Sequence, residues 1–343
     1  MKPLWLLLLG LAAVVSPSPA QDLAELEVDH NVAAEFATPH TPWATPYVHG
    51  KTRVLFFLDG RGTNPREVVE LKQRFDFEPQ AVFWARIIDS TQEQWHGGQI
   101  GVQRMARLLT EKWDAFVFLD IPLENVPVEQ QLAILEAVTS GAGLVLLGTD
   151  DKRVLKDKNR LSQQPAFLGD VDGAAAFTIK RGRGVRLPMR PAIEYRRGWE
   201  VEYDEWDMRL GKAILWAAGK EPQLSLTLKP RGAEIMRTTL PGVAATLTWR
   251  KAGRGVAADI VIRRDDGEVV LRTPRVLDEP DGDLELTAPL LRSGRYYLDV
   301  VARDGDRVAG FAGAPIDVVC PHRPRRRRRY GRGHQGPARG SGI

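Results

Sequence analysis

Few residues in this chain have the type and spacing for covalent chemistry. Its single cysteine, Cys320, lies at the end of the last recognisable strand, and the six histidines, His30, His40, His49, His96, His322 and His334, are scattered. A nucleophile needs a base within hydrogen-bond reach, and His96 has no partner at metal-ligand spacing. The aspartates are more suggestive. Asp59 follows the apolar run Val54 to Leu58, Asp120 follows Ala115 to Leu119, and Asp150 and Asp151 follow Leu144 to Leu147. Carboxylates at the ends of parallel strands stand where open α/β sheets bind ligands. There they could hold sugar hydroxyls, a metal, or a glycosidic bond between an acid and a base. The same aspartates also serve simply to cap turns.

The remaining polar candidates lie in turns and around tryptophans. Gly60-Arg61-Gly62 lacks the third glycine of a dinucleotide fingerprint and has no Walker spacing, so it reads as a tight turn; no cofactor is expected, and Arg61 is a ligand-binding candidate. Trp199, Tyr203, Trp206 and Trp216 fall close together, and aromatic faces stack on sugars. Trp206, Leu210, Ala213, Ile214 and Ala217 follow helical spacing, which assigns Trp206 to core packing. Trp199 and Tyr203 remain as ligand-binding candidates.

The elements that must position these residues fall into five stretches. Residues 1–20 have the three regions of a secretory signal: Lys2, an apolar run from Leu4 to Val15, and a small-residue site ending at Ala20. Cleavage after Ala20 and a secreted or periplasmic location are expected. No later run approaches the roughly 20 apolar residues of a membrane helix. Residues 21–47 read as an extended linker, whose prolines predict a chain laid along a surface.

Residues 48–222 alternate strand and helix. Strands are expected at 54–58, 81–85, 115–119 and 144–147, with helices at 66–75, 99–112 and 128–139. This pattern predicts an α/β fold with a doubly wound, mostly parallel sheet. Residues 223–320 switch to short alternating strands at 224–228, 244–249, 258–262, 268–271, 284–287, 296–301 and 316–319, as in an all-β sandwich. Residues 321–343 carry eight arginines and no acid, including the block Arg325 to Arg329. Removing those eight turns the excess of basic residues, 48 against 44, into a deficit, so the body of the chain has no nucleic-acid footprint. The tail reads either as an adhesive segment for anionic polymers or as an out-of-frame or truncated gene end.

The phrase Val138-Thr-Ser-Gly-Ala-Gly-Leu-Val-Leu-Leu-Gly-Thr149 resembles the helix, glycine turn, strand and elbow of class I glutamine amidotransferase-like domains, especially the ThuA-like, flavodoxin-like branch. Tyr47 to Val54 with Arg66 to Leu71, and Gly182 to Leu187 with Trp206 to Pro222, are similar to the opening and close of secreted bacterial members. Ser293 to Leu298 resembles a strand of immunoglobulin-like and fibronectin type III-like domains. The first resemblance implies a cysteine nucleophile at the elbow and a late histidine base. This chain has Gly148 at the elbow, then Thr149, and every histidine lies before the elbow or in the tail. Glutamine hydrolysis is therefore not expected, and neither is a catalytic residue of that class. The resulting expectation is a non-catalytic, pseudoenzyme-like envelope protein. It would bind a ligand such as carbohydrate, or an envelope protein, through Asp59, Arg61, Asp120, Asp150, Asp151, Trp199 and Tyr203. The alternative is a carbohydrate-active hydrolase using the acidic strand ends.

Overall fold

The structure is a computed structural model that describes residues 37–38, 40–60, 64–86, 92–148, 155, 158–169, 171–188, 204–231, 234–236, 242–250, 255–264, 266–278, 281–287 and 291–319. The predicted signal segment, the Arg-rich tail and Cys320 lie outside these residues.

The first lobe is built on an eight-stranded sheet in the order β3-β2-β1-β4-β5-β8-β7-β6. Its strands are β1 (Thr52–Asp59), β2 (Phe77–Arg86), β3 (Glu93–Trp95), β4 (Ala115–Leu119), β5 (Gly143–Leu147), β6 (Asn159–Arg160), β7 (Ala175–Ile179) and β8 (Gly182–Leu187). The helices are α1 (Asn64–Arg74), α2 (Gly98–Leu108), α3 (Val128–Ser140) and α4 (Asp204–Ala217). The central pairs β2-β1, β1-β4, β4-β5 and β5-β8 are parallel, and the pairs made by β3, β7 and β6 are antiparallel. The sheet is thus mixed, with a parallel centre, as expected, and both edges finished by chain reversals. β2 extends back to Phe77 and contains Pro79, a residue β3 does not reach; the missing N–H of Pro79 therefore costs no ladder bond.

Alternation along the strands explains the layers. Val54, Phe56, Leu58, Val117, Leu119, Val145 and Leu147 face α1 and α4, whereas Leu55, Phe57, Phe116, Phe118, Leu144 and Leu146 face α2 and α3. Runs that are apolar at both parities suit strands covered on both sides. Gly141, at φ 128°, ends α3 where the sequence predicts a glycine cap. Gly211 lets α4 cross α1 closely, since a Cβ there would stand 2.1 Å from the Phe75 ring.

The second lobe adds β9 (Ser225–Pro230), β10 (Glu234–Met236), β11 (Gly242–Arg250), β12 (Val256–Arg264), β13 (Val269–Leu277), β14 (Asp281–Thr287), β15 (Gly294–Asp304) and β16 (Arg307–Val319). They form a five-stranded sheet, β10-β16-β15-β12-β13, and a three-stranded sheet, β14-β11-β9. All pairs are antiparallel except β10-β16. Residues of both sheets, among them Leu226, Leu247, Trp249, Ile260, Leu298 and Ile316, share one core. The expected strand at 316–319 is only the end of a 13-residue strand.

The two lobes are continuous. Tyr296, Leu298, Val300 and Ala302 of β15 face the second lobe's core, while Val301, with Val308 and Phe311 of β16, joins the core of the first. Between the lobes runs the segment expected to lie on the surface. Trp43, Ala44 and Tyr47 are instead buried, so this linker is an internal strap. Its backbone is tied to both sides: Ala44 N–H donates to Arg74 O (2.9 Å), Val48 N–H to Val308 O (3.1 Å), and the Tyr47 hydroxyl to Lys220 O (2.7 Å). The described part of the strap is not extended but runs through turns and bends with isolated bridges at Ala44 and Tyr47, and aromatic burial, which proline content does not report, decided its depth. Replacing Trp43 with alanine removes a filled site and should cost about 3–5 kcal/mol. The expected result is a lower denaturation midpoint of the whole molecule by both lobe-specific probes, with a loss confined to one lobe contradicting the shared core.

Candidate functional site

Two of the predicted rim aspartates, Asp59 and Asp120, stand at adjacent strand ends. Leu58 pairs with Leu119 and Leu119 with Leu147, so Asp59, Asp120 and Gly148 follow one another across three adjacent strand ends. β1 and β4 are also where the chain parts, since α1 after β1 packs on one face and α3 after β4 on the other. In open α/β sheets, ligands bind beyond the strand ends at such a divergence. Asp59 is half-buried; Asp120 is exposed, with left-handed backbone at φ 59°, a conformation aspartate tolerates better than most residues. Arg61, Thr149, Asp150, Asp151, Trp199 and Tyr203 lie outside the described residues.

The structure adds Trp84, which sequence reasoning passed over. Asp59 pairs in register with Trp84 on β2, and Gly60 N–H donates to Trp84 O (2.8 Å). In-register neighbours on parallel strands project to the same face. Trp84 is partly exposed; its indole N–H donates to Glu93 (3.1 Å), and its ring meets Trp95 edge to face at 5.2 Å. These contacts fix the ring's orientation beside a carboxylate. The signal for it was a tryptophan within the strand expected at 81–85.

At the elbow position Gly148 has φ 68°, a left-handed conformation that glycine adopts without strain. No helix follows it directly among the described residues; the next elements there are β6 and the short turn Ala166–Leu168. The described histidines, His40, His49 and His96, stand far away. His49 contacts Glu221 O at the opposite end of the sheet, and His40 lies in the strap. His96 follows β3, four strand positions from β5, or about 19 Å at the usual strand spacing. Among the described residues no cluster of three His, Cys, Asp or Glu side chains is arranged to hold a metal ion, and no helix is long and apolar enough to cross a membrane.

A second polar centre, invisible in the sequence, sits between the lobes. Helix α4 is enclosed by the sheet, α1, β15 and β16, and only Glu205 and Arg209 near its start reach solvent appreciably. Its charged residues Asp204, Asp207 and Lys212 are buried along with Glu67, Glu70, Arg74, Arg263 and Asp299. Arg74 donates through Nε and Nη2 to Asp204 Oδ1 (3.0 and 2.7 Å) and through Nη1 to Glu70 (2.6 Å). Arg263 of β12 lies against Asp204 Oδ2 and donates to Asp299 (2.7 Å). Asp299 also accepts from Thr41 (3.0 Å) and the Trp43 indole (3.1 Å) of the strap. Arg74 beside Asp204, Asp207 and Glu70 is held more firmly protonated than usual against the opposing effect of burial. In Glu70 burial works upward, but Arg74 and the Thr38 hydroxyl prevail and lower its carboxyl. Asp207 is different: burial first, then the charges of Asp204, Glu70 and Glu67, push its carboxyl well above the usual range against the pull of Arg74. A cleft of about 160 Å³ opens beside the network, walled by Trp43, Met208, Lys212, Leu228, Tyr297 and Asp299.

No family model matches this chain, and no curated protein is similar to it. Among solved structures, a β-glucuronidase from Ruminococcus gnavus in complex with N1-substituted uronic isofagomine is 14% identical, over 28% of this chain and 16% of that one, with a TM-score of 0.19. The CARDB domain of a Pyrococcus furiosus protein is 15% identical, over 29% of this chain and 95% of that one, with a TM-score of 0.22. The chain thus spans 16% of the glucuronidase's length, and similarity at these scores carries no argument about function.

Two outcomes are expected. Gly148→Cys should install a thiol that releases no ammonia from glutamine, because none of the described histidines stands near it; measurable release would place a base within reach. Arg263→Met takes the Arg263 charge from Asp299 and leaves Asp204 with Arg74 alone inside the seam, and should cost about 3–5 kcal/mol in chemical denaturation.

Proposed function

We propose that this chain is a non-catalytic binding or scaffolding protein of the cell envelope. In this reading the first lobe is a degenerate, doubly wound amidotransferase-like domain, and the second is an immunoglobulin-like sandwich. The carrying observation is Gly148: the elbow position has no side chain and a left-handed backbone, and the described histidines lie elsewhere. A nucleophile cannot be replaced by geometry alone. What the rim offers is a binding surface, with the indole of Trp84 beside Asp59 and Asp120 one strand further on. An aromatic face next to acceptors suits a sugar ring, whose C–H groups pack on the indole while its hydroxyls donate to carboxylates. Secretion rests on the N-terminal pattern of Lys2, Leu4 to Val15 and Ala20.

The adjacency of Asp59 and Asp120 favours the second reading, a glycoside hydrolase. Neighbouring strands lie about 4.8 Å apart, comparable with the roughly 5–5.5 Å between the carboxyl groups of retaining glycosidases.

Both readings meet the same measurement. The full chain, and a variant with Arg325 to Arg329 changed to serine, should bind the same members of a glycan array at physiological salt. Trp84→Ala and Asp59→Asn should each weaken a hit about tenfold, roughly 1.4 kcal/mol. Binding lost with the arginines, or unchanged in both rim variants, sinks the rim as the site. Turnover of a bound glycan that Asp120→Asn abolishes decides for the hydrolase.

A further inference from the structure

Asp207 sits in the interlobe network without a hydrogen bond from any of the surrounding cations. It is fully buried, and neither carboxyl oxygen accepts a hydrogen bond. Its nearest cationic atom is Arg74 Nε, 3.6 Å from Oδ2, and that N–H already donates to Asp204. The other Arg74 donors go to Asp204 and to Glu70.

Charge comes from several of the elements around this point. α1 contributes Glu67, Glu70 and Arg74, with Arg66 paired to Glu70; α4 contributes Asp204 and Lys212; β12 contributes Arg263; and β15 contributes Asp299 and Tyr297. The strap adds His40, whose ring nitrogen meets Thr38 O. Five buried carboxyl groups, Glu67, Glu70, Asp204, Asp207 and Asp299, thus face three buried cations, Arg74, Lys212 and Arg263. Burial and the neighbouring carboxylates favour the protonated form of Asp207 over the charged one, against the pull of Arg74.

We propose that Asp207 is a protonation clasp between the lobes. Neutral, it lets α1, α4 and the inner face of β15 close on one another. Ionised, it adds a third carboxylate to Glu70 and Asp204 around Arg74, with Glu67 close by, and pushes the seam open. The strap is released with it, because Ala44 is bonded to Arg74 O, and Thr41 and Trp43 are bonded to Asp299.

The direction follows from linkage. The carboxyl holds its proton more tightly folded than unfolded, so its stabilising contribution is complete below the ordinary value of 3.8 and is lost as pH rises toward the folded-state value. Over that window one extra proton is bound by the folded chain, so the folding equilibrium weakens by up to about tenfold per pH unit from this group.

The test uses the full chain and Asp207→Asn, which keeps the shape and cannot ionise. Equilibrium unfolding followed between pH 5 and 9 should show a shallower fall for Asp207→Asn, by up to about tenfold per pH unit, with the variant the more stable at the alkaline end. Hydrogen exchange at the Ala44 and Val48 amides, corrected for intrinsic rates, should accelerate with pH in the parent and not in the variant. Equal pH slopes in the two proteins overturn the clasp. Should Asp207→Asn fail to fold, infrared spectroscopy of the parent decides: a carbonyl band of a protonated buried carboxyl at pH 6 supports the proposal, and its absence refutes it.

Discussion

Helix α4 has no solvent-facing side over most of its length, and the rest of the molecule is arranged around that fact. It is covered by the parallel centre of the sheet on one side and by β15 and β16 on the other. A helix in this position should be apolar all round, yet α4 carries Asp204, Asp207 and Lys212 inward. Each buried charge calls for a partner, and the partners are recruited from distant parts of the chain: Arg74 from α1, Arg263 from β12, and through Asp299 the hydroxyl and indole of the strap. Asp204 alone is gripped from both lobes. Such a network does little for net stability compared with a packed apolar seam. What it does is fix one relative placement of the lobes, because displacement would strand several charges at once.

This explains which parts of the structure were legible in the sequence. The central strands were, since Val54 to Leu58, Ala115 to Leu119 and Leu144 to Leu147 are apolar at both parities and bounded by turn residues. Their C-terminal aspartates were legible for the same reason: once the strands are ordered, Asp59 and Asp120 must be neighbours. β3 was not, because three residues at an edge carry no periodicity. Trp84 needed a register that only the β1–β2 pairing supplies.

The seam lay beyond sequence reasoning altogether. Arg74 and Asp204 are 130 residues apart, and Thr41 and Asp299 are 258 apart. Charged residues within amphipathic patterns read as solvated faces, and prolines in the strap read as surface chain. Only the second lobe's arrival over α4 converts both into interior. Local propensity had no access to that event, which is tertiary.

β15 offers side chains on both of its faces to packed interiors: Leu298 and Val300 toward the sandwiching sheet, Asp299 and Val301 toward α4 and the strap. A beads-on-a-string protein can lose, duplicate or exchange a terminal unit by recombination, because the severed surface was already wet. Here the cut would run through a strand committed on both sides, leaving Phe311, Val308 and the Asp299 carboxylate bare on one piece and Trp43 bare on the other. The C-terminal lobe is therefore no transferable cassette, and the two lobes are constrained to diversify as a single inherited unit.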